Sequence, residues 1–270
     1  MLTKHSTDAD ARWALDGYWL SGHVNLALIA SVHAAQLPAL LEACKTDEPS
    51  TGEILAPVDE HTEVWASGVT YLRSREARMQ ESDTADVYDK VYDAERPELF
   101  FKCAGWRVRA SNHSIRVRAD ATWNVPEPEL AVVANAHGEI IGYTAGNDVS
   151  SRDIEGENPL YLPQAKVYNG SCALGPGIVL ANAESMRELP VHLRIKRNGA
   201  DMFEGETSIA QMKRSLEELI ACLFFELDMP GGAVLMTGAG IVPGDDFTLL
   251  PGDAVKIQVG AATLTNVVSD

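Results

Sequence analysis

The run Val125-Pro126-Glu127-Pro128-Glu129-Leu130-Ala131 holds the residues best suited to chemistry. Side chains two apart on a strand share a face, so Glu127 and Glu129 would stand side by side on a proline-rich stretch that is an odd start for a core strand. The run continues through Leu130-Ala131-Val132-Val133-Ala134, passes Asn135-Ala136-His137-Gly138 and resumes from Glu139 to Asp148, the pattern of a β-hairpin. With His137-Gly138 as a two-residue turn, Asp148 falls opposite Glu127 and three carboxylates share one face. A three-residue turn would send Asp148 to the other face. Three close acids repel one another, and burial would raise their pKa values unless a cation were present. A hard divalent ion with oxygen ligands, magnesium, calcium or manganese, resolves that conflict. A solvent-facing acidic hairpin in an acidic protein also accounts for the spacing.

Further residues carry chemistry of their own. Lys166 stands in Gln164-Ala165-Lys166 between apolar neighbours and turns rich in glycine and proline, a setting for a partly buried ammonium. Next to a metal its pKa would fall, making it a usable base. Glu98, in the short strand Pro97 to Lys102, is a general acid or base if it points into a cavity, or else a strand-edge carboxylate paired with Lys102 or an arginine. Ser74 and Arg75 open a helix after the strand Val64 to Tyr71, where backbone N–H groups attract anions; a solvated helix carrying charge pairs is the other reading. The Thr237-Gly238 turn offers a hydroxyl and N–H groups to a carboxylate, or is a plain hairpin turn.

The elements that must position these groups follow from periodicity and punctuation. Trp13 to Leu20 reads as a strand and Asn25 to Cys44 as a helix broken near Pro38, followed by a linker over Lys45 to Pro57. Residues 1–60 are thus expected as a small N-terminal α/β domain and residues 61–270 as the metal-dependent catalytic domain. The polar stretch Ser82 to Arg96 is either a helical lid or a surface helix. His192 to Ala200 runs into an Asn198-Gly199 hairpin turn. Thr207 or Ser208 then caps a helix with apolar residues from Ile209 to Leu227. Ala233 to Thr237 and Ala254 to Val259 return to β.

Composition narrows the function classes. Lysine and arginine number 22 against 39 acids, a net charge of −17 that argues against nucleic acid or an anionic membrane as partner. A small anionic substrate stays open, because a bound metal reverses the local field. The four cysteines have no paired spacing, so neither a disulfide framework nor a zinc site is expected. The N-terminus lacks the apolar core of a signal peptide, and Val24 to Cys44 is too polar for a membrane span, so a cytoplasmic location is expected.

Taken in order, Glu127-Pro128-Glu129, Gly146-Asn147-Asp148-Val149-Ser150-Ser151-Arg152-Asp153, Gln164-Ala165-Lys166 and Leu174-Gly175-Pro176-Gly177 resemble the fumarylacetoacetate hydrolase family. The likeness extends from about Val64 to the C-terminus. It implies an α+β fold whose catalytic part is a mixed β-sandwich roll. It also implies Mg²⁺, with Mn²⁺ or Ca²⁺ as alternatives, held by Glu127, Glu129 and Asp148. The hydrolase and decarboxylase branches carry Tyr-x-x-His-x-x-Glu after the first strand, whereas Tyr71-Leu72-Arg73-Ser74-Arg75 lacks the histidine, which counts against C–C bond hydrolysis. A second departure is Tyr168-Asn169, where many members have Phe-Asp. The Gly68-Val69-Thr70-Tyr71 turn and the segment Asn158 to Lys166 look like the 2-keto-3-deoxy-pentonate dehydratase branch of pentose catabolism. That branch converts 2-dehydro-3-deoxy-D-arabinonate, or a pentonate of related stereochemistry, to 2,5-dioxopentanoate and water. The resemblance then implies that Lys166 takes the C3 proton of a small 2-keto acid and Glu98 protonates the leaving hydroxyl. Ser74, Arg75, Lys166 and Thr237 would bind substrate, in a homo-oligomer such as a dimer or tetramer. The alternatives are an acylpyruvate hydrolase or oxaloacetate decarboxylase, and a metal-binding protein without activity on a catalytic fold.

Overall fold

The hairpin formed by Pro128–Ala134 and Ile140–Asp148 stands in the middle of a twelve-stranded mixed sheet in the computed structural model, which describes residues 1–8, 10–74, 79 and 90–270. Every residue of Pro128–Ala134 is buried, which is why its Leu-Ala-Val-Val-Ala run is apolar at each position instead of alternating. Leu130, Val132 and Ala134 face one apolar cluster, and Ala131 and Val133 face the other. On one flank of the hairpin lie Ala233–Met236, then Glu63–Gly68 running parallel to it, then Glu98–Ala104 at the edge. On the other flank lie Gly177–Leu180, Leu2–Ser6 and the remaining N-terminal strands. A second sheet of five strands, with Pro190–Arg197 and Ala254–Val259 at its centre, covers the Leu130 face. Its Leu193, Ile257 and Leu264 share a cluster with Leu130 and Val132, joined by Leu219, Ile220 and Leu223 of the helix Leu216–Phe224. The result is a sheet-rich, mixed fold with few helices.

The hairpin tip has three residues, not two. Asn135 N–H donates to the Glu139 carbonyl (2.9 Å) and Gly138 N–H to that of Asn135 (3.1 Å), with Gly138 at φ +70°, where a side chain would be strained. Such a tip alone would place Asp148 on the wrong face. Ile141 cancels the error: Ala134 pairs with Ile140 but Val133 pairs with Gly142, so Ile141 is an extra residue in a β-bulge. Beyond it Pro128 pairs with Asn147, and Asp148 N–H donates to the Glu127 carbonyl (3.1 Å).

The first sixty residues are hydrogen-bonded into the same sheet. Leu2 pairs with Ile178, and Ile29, Leu37 and Leu41 lie in one cluster with Val133 and Met236. The stretch Trp13 to Leu20 is two strands, Ala11–Leu15 and Tyr18–Leu20, because Asp16-Gly17 at φ 50° and 82° turns the chain. The break near Pro38 is present: helices span Leu26–Ser31 and Leu37–Cys44, and Pro38 sits in the first turn of the second, where its missing N–H costs no helical bond. Ser208 ends the strand Ala200–Ser208, which pairs along Pro190–Arg197, and its hydroxyl accepts from Ala210 N–H (3.2 Å), so it caps only the 3-10 turn Ile209–Gln211 and not the long helix expected. The α-helix starts after Ser215, whose hydroxyl accepts from Glu218 N–H (3.1 Å). The Asn198-Gly199 turn forms as expected, with φ 52° and 83°. No described helix is long and apolar enough to cross a membrane. Arg75 and residues 82–89 of the candidate lid lie outside the described residues.

The tip is clasped to the N-terminal segment by Glu139, whose carboxylate accepts from Ala34 N–H (2.8 Å) and Asn135 Nδ2 (2.8 Å) and pairs with His33 Nδ1 (3.0 Å). These donors, the Ala34 N–H foremost, hold the Glu139 carboxyl down at about 2. A depressed carboxyl contributes stability that is complete above its ordinary value of 4.5 and is lost as pH falls toward the folded value. Thermal melts of the parent and Glu139→Gln should therefore differ at neutral pH and converge across that acid window. A gap that stays constant down to acid pH would refute the assignment.

Candidate active site

Glu127 and Glu129 flank Pro128, at the start of one hairpin strand, and Asp148 ends the other, so the repaired register places all three on one face. One carboxylate oxygen from each lies within 4.8 Å of the others, and all three residues are buried. The acidic hairpin is therefore not solvent-facing. Glu129 accepts from Gly238 N–H (2.5 Å) at Oε2. Burial, then the charges of Asp148 and Glu127, push its carboxyl well above the ordinary range, against the opposing pull of Lys166 and the Gly238 N–H.

Three buried cations partner the other acids. Lys166 Nζ lies 2.8 Å from Glu127 Oε2, 3.2 Å from Asp148 Oδ2 and 4.0 Å from a Glu155 oxygen. Arg152 Nη2 lies 3.1 Å from Glu127 Oε1. Lys102 Nζ lies 2.5 Å from Asp148 Oδ1. Glu155 also accepts from the Ser150 hydroxyl (2.6 Å). Fully ionised, the four carboxylates exceed the three cations by one negative charge, which a divalent cation would turn into one positive charge. The donor set is all oxygen, hard and anionic, which suits Mg²⁺ or Mn²⁺.

Glu98 lines the same cavity, together with Ser67, Gly68, Val69, Ser74 and Phe100. A Cβ on Gly68 would lie 2.1 Å from Glu98 Oε2, so only glycine admits that carboxylate. The next residue, Val69, has φ 54°, an uncommon and strained conformation for a β-branched side chain, and it too faces the cavity. Ser74 is buried; its hydroxyl donates to the Tyr71 carbonyl (2.8 Å) and accepts from Tyr71 N–H (3.2 Å). Thr237 stands behind the site: its hydroxyl donates to the Leu130 carbonyl (3.0 Å), while Gly238 beside it presents the N–H that reaches Glu129.

Of the residues singled out in the sequence, Glu98, Glu127, Glu129, Asp148, Lys166 and Ser74 thus meet in one cavity. Lys102, Arg152 and Glu155 were not anticipated there. Lys102 shares a strand face with Glu98, the one signal available, yet it pairs with Asp148 and not with Glu98. Arg152 and Glu155 belong to the short helix Arg152–Glu157, which begins just past Asp148 and turns both side chains back under the hairpin.

Residues 63–269 match the family described as fumarylacetoacetate (FAA) hydrolase C-terminal. A probable 2-keto-3-deoxyxylonate dehydratase of Haloferax volcanii is 42% identical over 273 residues, covering 98% of this chain and 90% of the relative. The 2-dehydro-3-deoxy-D-arabinonate dehydratase of Saccharolobus solfataricus is 45% identical over 212 residues, 76% of this chain and 70% of the relative. Among solved structures, the apo form of a 2-keto-3-deoxy-D-arabinonate dehydratase superposes with a TM-score of 0.83 at 34% identity, over 99% of this chain and 98% of that one. A 2-keto-3-deoxy-D-arabinonate dehydratase complexed with magnesium and 2,5-dioxopentanoate superposes with a TM-score of 0.79 at 32% identity, with the same coverage.

Proposed function

The chain belongs to the fumarylacetoacetate hydrolase family, and from that premise we propose that it is a magnesium-dependent hydro-lyase converting a 2-keto-3-deoxy-pentonate to 2,5-dioxopentanoate and water. The observation that carries this reading is the buried Glu127, Glu129 and Asp148 cluster with Lys166 and Glu98 at one cavity, on a chain similar over nearly its full length to dehydratases. Residues 61–270 carry the chemistry in this proposal, and residues 1–60 form a small α/β unit that buttresses the metal-bearing strands from behind.

Glu127, Glu129 and Asp148 would hold the ion. Bound there, Mg²⁺ supplies a Lewis acid that favours build-up of negative charge on a 2-keto oxygen. Lys166, in contact with two of the three acids, is placed to take a C3 proton from a substrate held against the cluster once it has released its own proton to solvent, a loss that a metal charge beside it would favour. Glu98 delivers a proton to the departing C4 hydroxyl, so one water leaves and a C3–C4 double bond forms. Transfer of a C5 proton back to C3 moves that bond to C4–C5, giving the enol of the aldehyde. Ser74 and Arg75 are assigned to the carboxylate and hydroxyl ends of the substrate, without Thr237, whose hydroxyl is taken by the Leu130 carbonyl. With Lys166 as the neutral base, the metal-loaded cluster is electrically balanced and does not repel an anionic substrate.

Exhaustive chelation should abolish formation of 2,5-dioxopentanoate from the 2-keto-3-deoxy-pentonate stereoisomers, and added Mg²⁺ should restore it. Full turnover in the metal-free protein would sink the proposal. Inactivation by borohydride only in the presence of substrate would point instead to a Schiff base on Lys166. Release of pyruvate from acylpyruvates would favour the hydrolase alternative.

A further inference from the structure

Lys102 is completely buried on the strand Glu98–Ala104, and the chemistry above makes no use of it. Its ammonium lies against three oxygens, Asp148 Oδ1 as an ion pair at 2.5 Å and, as hydrogen-bond acceptors, the Val149 carbonyl at 3.2 Å and the Lys166 carbonyl at 2.5 Å. Two of these are main-chain groups. One follows Asp148 directly, and the other ends the helix Leu162–Lys166, where carbonyls carry partial negative charge. Swinging the side chain away would strand both carbonyls and bury a lone charge, so the ammonium stays in place whatever Asp148 does. Asp148 therefore meets a fixed cation at Oδ1 and keeps Oδ2 on the side of Lys166 and Glu127.

The other two acids follow the same pattern. Glu127 has Arg152 at Oε1, and Glu129 has the Gly238 N–H at Oε2. Each candidate ligand thus has one oxygen held by a group other than Lys166, which reaches the second oxygen of Glu127 and of Asp148. That matters for the choice of ion: Mg²⁺ takes a tight octahedron and keeps several waters, whereas Ca²⁺ takes roughly six to eight oxygens and commonly uses both oxygens of a carboxylate.

We propose that Lys102 is a positioning residue that makes Asp148 a one-oxygen ligand and thereby selects magnesium against calcium. The inference rests on the metal reading above. Removing the ammonium frees Oδ1, which allows two-oxygen binding and favours the larger ion.

Metal-stripped parent and Lys102→Met should be titrated calorimetrically with Mg²⁺ alone and with Ca²⁺ alone. The ratio of calcium to magnesium affinity is expected to rise by about tenfold or more in the variant, since ligand count and rigidity set that ratio. A ratio unchanged between parent and variant overturns the role of Lys102, because a purely structural lysine would weaken both ions together. If the variant does not fold, crystals of the parent protein soaked with each ion decide the matter. Asp148 bound through Oδ2 alone, with Lys102 still on Oδ1, supports the proposal; Asp148 bound through both oxygens to Mg²⁺, or a displaced Lys102, overturns it. A parent protein that binds neither ion removes the metal reading itself, and the selectivity role with it.

Discussion

Lys166→Ala is expected to lower turnover by roughly 10²- to 10⁴-fold, the range for losing a positioned general base, and to stop exchange of the substrate C3 protons with solvent. The lysine is held rigidly at its main chain. Its main-chain carbonyl accepts from Lys102 Nζ and from the Ser171 hydroxyl (2.8 Å), so the side chain leaves a fixed point at the end of a short helix. Its ammonium then reaches two of the three metal-cluster acids. Without metal, the substitution strands buried carboxylates and should cost about 3–5 kcal/mol in stability, so the assay belongs in saturating Mg²⁺. Magnesium binding itself should persist, because the cluster loses a competing positive charge. Deuterium uptake at C3 by NMR and calorimetric Mg²⁺ titration read the two effects separately. Turnover near the parent rate, or loss of magnesium binding with loss of turnover, would remove Lys166 from the role of base.

Glu129→Gln should move stability and activity in opposite directions. Glu129 is the most compromised of the three acids: its one hydrogen bond to Gly238 N–H does not offset burial and two neighbouring negative charges. Glutamine keeps an acceptor for that N–H and removes the charge. The metal-free variant should gain about 1–3 kcal/mol, the scale of leaving a buried polar group poorly compensated. The sign with pH follows from the direction of the shift. A carboxyl raised in the folded state weakens the fold once pH exceeds its ordinary value of 4.5, so the advantage of the variant should widen as pH climbs. With Mg²⁺ added the order should reverse, and magnesium affinity should fall by at least roughly 10- to 100-fold. A metal-free variant less stable than the parent at neutral pH would contradict this account, as would undiminished magnesium affinity. The cluster on this view is held at a cost to the fold that its cation relieves.

The sequence made some of this legible and not the rest, for physical reasons. Glu127, Glu129 and Asp148 could be aligned because strand period is two and the hairpin is local. The two-residue tip assumed in that alignment is nevertheless incorrect, and the right facing pairs result from a tip and a bulge that compensate. A bulge has no sequence signature of its own here, since Ile141 reads like any buried strand residue. Lys102 was legible as a neighbour of Glu98 but not as a partner of Asp148, because that contact crosses from the sheet edge to the end of the central hairpin. Arg152 and Glu155 were hidden likewise, being polar residues after a strand whose inward turn depends on the short helix. The Thr237 hydroxyl was expected in the site for its chemistry, yet the Leu130 carbonyl takes it, a backbone need that no motif displays. Ser208 shows strand pairing overriding a helical period.

The tip and the bulge matter only together, on this fixed sequence. A two-residue tip with the bulge kept, or the three-residue tip without it, would slide Gly142–Asp148 by one position against the facing strand, taking Asp148 off the ligand face and exchanging the two cores. Cutting out Ile141 is different, because it leaves Gly142 opposite Val133 and Asp148 beside Glu127. Strand pairing below the tip holds the metal face, so a loop grafted between Asn135 and Glu139 keeps that face whatever its length, provided the closing pair forms.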